Sequence, residues 1–392
     1  MVILDAETRS LKRAAIVMKS VVGLEVSTNT IERVALEVGN DLEASEHASW
    51  KDVLTGEVPV PTLAIVEFDG GRIRTRKTGC GPGVHLESKG WNESKNAIFV
   101  SATSETSSSD PQPLPPPCFL DHDHVAKLTE HAKLKEKQGS DDRSSQSTSN
   151  DEEAQESTEP SVHKPQRILR TVISSMKNSK KFGHQMRREA TRRRFDESLR
   201  KAFVADGLTC NWTIHAEHFA DYVAILDFTH AVSYLFTASL ALFGKTEEAW
   251  HEYSKWMTLT WQGAVNEVIT ELREHQTRIG KPDESAADDD PRERLRRVIG
   301  YLENNRTRMQ YAEYRMQGLP TTSAWMESAV KEINYRTKGT EMFWNNPVGA
   351  EAILQIRAAA LCDDDRLVRL LTNRPGQTAL RRRLSHSSSN SA

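Results

Sequence analysis

Cysteine is scarce. Only Cys80, Cys118, Cys210 and Cys362 occur in 392 residues, and none stands at metal-ligand spacing from another. That excludes a zinc finger and a disulfide scaffold. Long apolar runs are missing too. The greasiest stretch, VSYLFTASLALF at 232–243, falls short of the roughly 20 residues that cross a bilayer. Asp5 and Glu7 interrupt the N-terminus, which has no continuous apolar core and makes a poor secretory signal. A protein without a membrane span, in a reducing, cytoplasmic compartment, is expected.

Net charge is small, −3, with 52 basic against 55 acidic residues, yet it is strongly patterned. Residues 139–160 hold seven acids and one base. Residues 164–201 hold thirteen bases and three acids, and 366–383 six arginines and no acid. Basic blocks of this kind suit a polyanionic partner.

The chain opens with a helical pattern through LKRAAIVMKSVV, a short connection GLEVS, and a second helix, TNTIERVALEVGNDLEAS, capped by Ser27 or Asn29. Helix, turn and helix suit either part of a helix-turn-helix or plain helical packing. TLAIVEF at 62–68 reads as a central strand, followed by a DGG turn and a hairpin partner RIRTR. NAIFVSAT is a third strand. CFLDHDHVAKLTEHAKLKE reads as an ordered island with a short helix inside a Ser-, Pro- and acid-rich region. The basic stretch near 165–200 reads as a long helix, KAFVADG and YVAILDF as strands with NWTIHAEHF a helix between them, and 229–316 as helical. Trp250, Trp256 and Trp261 fit packing between those helices.

Three acids stand out. Asp69 and Asp206 each end a strand and precede glycine, where open α/β sheets carry working groups and where close approach is possible. Glu327 lies on the helix SAWMESAVKEINYRT. Met326, Val330 and Ile333 form its apolar stripe, and Glu327, Lys331, Asn334 and Lys338 an adjacent polar one. A Glu327–Lys331 pair is also ordinary helix stabilisation. Phe343 and Trp344 suit base stacking or core packing. Carboxylates converging from separate elements suit hard divalent cations and phosphoryl transfer.

Several segments together resemble the transposases of bacterial insertion sequences in the ISKra group, mutator-like members of the DDE superfamily. They are VEFDGGRIRTR, GWNESKNAIFVS, PPPCFLDHDHVAKL, ADGLTCNWTIHAEHFADYVAILDFTHAVSYL, the block YLENNRTRMQYAEYRMQGLPTTSAWMESAVKEINYRTKGTEMFW and GAEAILQIRAA, spanning roughly residues 20–370. The resemblance implies an α/β, RNase H-like mixed sheet flanked by helices, with an all-helical insertion before the last catalytic helix. It assigns Asp69, Asp206 and Glu327 as catalytic, metal-holding residues for two Mg²⁺ or Mn²⁺ ions. Asp227 and His230, in LDFTH, match a further motif and are supporting residues. Implied partners are double-stranded DNA, the element's terminal repeats and target DNA, with a homo-oligomer and a place at the bacterial nucleoid.

The expected reaction is metal-dependent cleavage at element ends and strand transfer into target DNA. Arg72, Arg187, Arg188, Arg192, Lys331 and Lys338 are candidate phosphate contacts, giving affinity rather than sequence readout. The expected layout is a partial helix-turn-helix-like region at 1–55, the first part of the core at 60–228 interrupted by disorder at 139–165, the insertion at 229–318, the last part of the core at 319–365, and a basic flexible tail at 366–392. Relatives of this group carry a longer region before the first aspartate, so N-terminal truncation is expected. A non-catalytic or domesticated DNA-binding derivative is the alternative. The DHDH run at 121–124 lies outside the core motifs.

Overall fold

The computed structural model describes residues 1–45, 58–75, 91–137, 162–283, 285–338, 344 and 347–373. Its centre is a mixed five-stranded sheet of order β3-β2-β1-β4-β5. The strands are β1 (Leu63–Arg74), β2 (Trp91–Thr103), β3 (Gln166–Ser175), β4 (Arg200–Ala205) and β5 (Val223–Leu226). β1 pairs antiparallel with β2 and parallel with β4; β2 pairs antiparallel with β3, and β4 parallel with β5. β1 is central, and Leu63, Ala64, Ile65 and Val66 are wholly buried, as a strand covered on both faces requires.

Helices flank the sheet. On one face lie α5 (Ser179–Arg192) and α6 (Thr209–His218), with Phe182 against Phe68 and Trp212 against Phe203. On the other lies α12 (Ala324–Thr337), packed on β1 and β2, with α13 (Pro347–Ala360) beside it on β3. Between β5 and α12 comes an all-helical block: α7 (Phe228–Phe243), α8 (Glu247–Trp261), α9 (Val265–Ile279), α10 (Pro291–Asn305) and α11 (Tyr311–Met316). It shares one continuous apolar core with the sheet, and α4 (His122–Lys137) leans on it. Trp256 and Trp261 are buried there and Trp250 packs against that core.

The N-terminal helices α1 (Val2–Glu7), α2 (Leu11–Val17) and α3 (Thr28–Ser45) include the expected second helix, capped by Ser27 through the Thr30 N–H. α3 buries Ala35, Val38 and Leu42 in a second apolar cluster with Ile353, Ile356 and Ala359 of α13. Gly39 allows this approach: a Cβ there would collide with Ala352. The apolar face of α3 is therefore committed to the body of the protein.

Four expectations need correction. β1 does not turn at Asp69-Gly70-Gly71. Its register with β2 continues from Leu63↔Ala102 to Arg74↔Trp91, so the RIR of RIRTR extends β1 and the hairpin partner is β2. The basic stretch 165–200 is not one helix. β-Branched residues make β3 of Gln166–Ser175, and Asn178 caps α5 by accepting from the Lys181 N–H. Disorder does not reach 165, since Glu105 N–H donates to the Val162 carbonyl and His163 bonds the Glu105 carbonyl; 139–161 lie outside the described residues. The arginine-rich tail begins as α14 (Arg366–Asn373), whose Arg366 is held by Glu189 and Asp364; 374–392 lie outside the described residues.

Candidate active site

Parallel pairing brings the two candidate aspartates together. Phe68 stands opposite Ala205, so the next residues, Asp69 and Asp206, lie on neighbouring strands where β4 ends and β1 runs on to Arg74. Ala205 stands opposite Leu226, and the Asp227 N–H donates to the Ala205 carbonyl at 3.0 Å. Asp227 is therefore third in the row. Asp69 and Asp206 are half-buried; Asp227 is buried.

The two later aspartates are bonded differently. Asp206 Oδ1 accepts from the Leu208 N–H at 3.0 Å and from Asn211 Nδ2 at 2.5 Å, which ties it to the start of α6. Asp227 caps α7. Its Oδ1 accepts from the Thr229 N–H at 2.9 Å, and its Oδ2 from Ser323 Oγ at 2.5 Å, just before α12. Both Asp227 oxygens thus have partners that fix the start of α7 to the start of α12. His230, one turn on, is half-buried, and its N–H donates to the Asp227 carbonyl.

Gly207, expected to admit a substrate, is approached by protein. A Cβ there would strike the Tyr301 ring of α10, which stacks on Tyr234 with centroids 3.6 Å apart and planes within 8°. The Tyr301 hydroxyl is buried with no hydrogen-bond partner. Burial first, then the charges of Tyr234, Asp206 and Asp227, push its pKa well above the usual tyrosine value. Gly70 differs: a Cβ there would meet open space.

Glu67 was missed by the sequence reading. It lies on β1 two residues before Asp69, on the same face of the sheet, and is wholly buried. Its Oε2 accepts from the Met326 N–H at 2.6 Å, while Oε1 is buried with no partner. This bond pins the first turn of α12 to β1, one residue before Glu327. The signal that could have found it is a lone acid inside an otherwise apolar strand.

Burial pushes the Glu67 carboxyl up to about 8, outweighing the Met326 N–H bond, and the Asp227 charge adds to the rise. Between an unfolded value near 4.5 and about 8, the native state holds one more proton than the unfolded chain. Stability therefore falls as pH rises through that window, by up to roughly 4–5 kcal/mol, and levels off above it. Glu67→Gln keeps an acceptor for Met326 and removes the titration. Urea denaturation at pH 5 and pH 8.5 should show wild type losing more stability than the variant across the interval. Equal losses in both would assign the pH dependence elsewhere.

Glu327 is exposed on α12, and its N–H donates to the Ser323 carbonyl at 3.0 Å. Among the described residues, no three His, Cys, Asp or Glu side chains stand together as a ready metal-binding group. The structure thus brings Asp69 and Asp206 side by side but does not gather Glu327 with them. In the DHDH run, Asp121 Oδ1 caps the His124 N–H, and His122 and Asp123 are exposed, 3.6 Å apart.

The candidate phosphate contacts divide. Lys331 is exposed, and Arg72 and Lys338 half-exposed. Arg187 pairs with Asp196 at 2.8 Å and donates to the His218 carbonyl. Arg192 pairs with Glu189 and donates to the Ser45 carbonyl at 2.7 Å. Arg188 lines a cavity with Arg192. Trp344 is packed, its Nε1 donating to the Thr337 carbonyl; Phe343 lies outside the described residues.

No protein-family profile and no curated protein matches the chain. Among solved structures it is similar to the Drosophila P element transposase strand transfer complex, at 12% identity and a TM-score of 0.36, over 93% of this chain and 91% of that one. A likeness so distant carries no weight for fold or function. Among the described residues no helix is long and apolar enough to cross a membrane.

Proposed function

We propose that this protein is a metal-dependent DNA-cleaving and strand-transferring enzyme of the DDE transposase type, built on an RNase H-like core. The observation that carries the reading is the register that sets Asp69 and Asp206 on neighbouring strands, just past the last parallel pair of β1 and β4. The sheet order, and an all-helical block between β5 and α12, support it further.

The donor set fits a hard cation. Two half-buried carboxylates on adjacent strands offer oxygen ligands, and magnesium commonly takes one or two carboxylates beside water and substrate phosphate. A bound pair of magnesium or manganese ions would activate a hydroxyl and stabilise the leaving oxygen on phosphorus. Asp69 and Asp206 would hold them. Glu67 and Asp227 keep the first turn of α12 against β1 and α7, and so set where Glu327 can reach. Lys331, one turn beyond Glu327 and exposed, is free to meet a phosphate of the DNA backbone.

The test is incubation of the full chain with duplex DNA carrying the element ends, with and without Mg²⁺ or Mn²⁺. Metal-dependent nicking that leaves a 3′ hydroxyl, then joining to target DNA, is expected. Binding without cleavage in either metal would favour the non-catalytic, DNA-binding derivative. Cleavage without joining would make the protein a nuclease on the same core.

A further inference from the structure

The all-helical block reaches back to the aspartate row through tyrosines. Tyr311 of α11 donates its hydroxyl to the Leu226 carbonyl at 3.0 Å, one residue before Asp227. Its ring meets Phe228, one residue after Asp227, edge-on with centroids 4.9 Å apart. Tyr314 of the same helix donates to the Ala224 carbonyl at 3.2 Å. These two fix β5 by its backbone, each using its hydroxyl as buried tyrosines ordinarily do.

Tyr301 of α10 differs. Its hydroxyl is buried and bonds to nothing, so what it supplies is a ring against backbone. A Cβ on Gly207 would lie 2.9 Å from the Tyr301 hydroxyl oxygen and nearer still to the ring carbons. Tyr234 of α7 stacks on that ring, nearly parallel at 3.6 Å, and leaves it little room to swing aside. Gly207 therefore lies against a fixed aromatic wall. It is also the middle of a short turn: Asp206 Oδ1 accepts from the Leu208 N–H across it, and from Asn211 beyond. The wall bears on the turn that orients the carboxylate. Burial, then the charges of Tyr234, Asp206, Tyr311 and Asp227, keep the Tyr301 hydroxyl protonated, so no second negative charge stands beside the acids.

We propose that Tyr301 is a positioning residue for Asp206: its ring, backed by Tyr234, keeps the 206–208 turn closed and the carboxylate aimed. The ring does the holding and the hydroxyl takes no part. A metal-holding side chain needs such support, because small errors in its placement cost much of its effect. The bearing of Tyr301 on cleavage rests on the proposed function; its hold on the turn does not.

Amide hydrogen exchange on the full chain reads the turn directly, since opening it frees the Leu208 N–H. Tyr301→Ala should speed exchange across 206–211 by at least about tenfold while β1 and β2 keep wild-type rates. Tyr301→Phe should match wild type. Gly207→Ala reaches the same contact from the other side and should also speed exchange, and it decides the question alone if Tyr301→Ala does not fold. Joined to Tyr301→Ala it should give back part of the loss, because the new methyl enters the space the ring left. Unchanged exchange in Gly207→Ala overturns the proposal. So does a rise spread evenly over the chain, the mark of an ordinary core residue, or a Tyr301→Phe as loose as Tyr301→Ala, which would give the role to the hydroxyl. In a cleavage assay, Tyr301→Ala should raise the Mn²⁺ concentration for half-maximal rate at least about fivefold, with duplex binding unchanged and Tyr301→Phe normal. A normal metal requirement in a cleaving Tyr301→Ala also overturns the proposal. If wild type does not cleave, the proposed function fails, and exchange still decides the role of Tyr301.

Discussion

Asp69→Asn and Asp206→Asn are each expected to lower metal-dependent DNA cleavage by at least about a thousandfold, equivalent to roughly 4 kcal/mol of transition-state stabilisation. Asparagine keeps the shape of the side chain and removes the charge. Asp206→Asn still presents an oxygen to the Leu208 N–H and Asn211, so the fold should survive while metal affinity falls. Under the proposed function DNA binding should change little, because lysine and arginine contacts to phosphate would supply it. Single-turnover cleavage beside a gel-shift measurement separates the two effects. Glu327→Gln should match the aspartate variants if α12 brings its exposed carboxylate to the metals in the presence of DNA. Full activity in Glu327→Gln would remove it from the catalytic set. Full activity in Asp206→Asn with loss in Asp227→Asn would make Asp227 the second aspartate.

The elements that carry these acids were legible because their signals are local. TLAIVEF is apolar and β-rich, KAFVAD and YVAILD end in aspartate, and TNTIERVALEVGNDLEAS has a helical period and a cap. Each became the expected strand or helix. Where the reading failed, a local signal was overridden from a distance. DGG has the composition of a turn, yet pairing with β2 beyond Asn96 keeps it extended. The arginines in QRILRTVISS obscured an edge strand whose second half is buried. Glu67 and Met326 are 259 residues apart, and Tyr301 meets Gly207 from another helix; no periodicity reports such contacts. The same holds for the basic block, where sequence counts charge but does not show that Arg187 and Arg192 are paired with Asp196 and Glu189.

A large loss of stability is expected from Asp5→Ala, about 3–5 kcal/mol in urea denaturation. Asp5 and Arg336 form a fully buried ion pair at 2.8 Å, with side chains 0% and 1% exposed. Arg336 Nε also donates to the Asp5 carbonyl at 2.9 Å. Burial pushes the Asp5 carboxyl above its ordinary value even though Arg336 opposes the shift, so desolvation is not fully offset. Truncating Asp5 leaves the guanidinium buried and uncompensated, which is the costly case. Replacing both partners by apolar groups removes the unpaired charge, so Asp5→Leu/Arg336→Met should recover most of the loss. The pair joins α1 to the last turn of the helix that carries Glu327, and Arg357 of α13 adds bonds to the Ala6 carbonyl and Glu7. The N-terminal helix is thereby a brace for α12. Under the proposed function, Asp5→Ala should also slow cleavage below the melting temperature, and the double variant should restore it in step with stability. A double variant that regains stability without regaining rate would assign the pair a positioning role on α12 beyond simple anchoring.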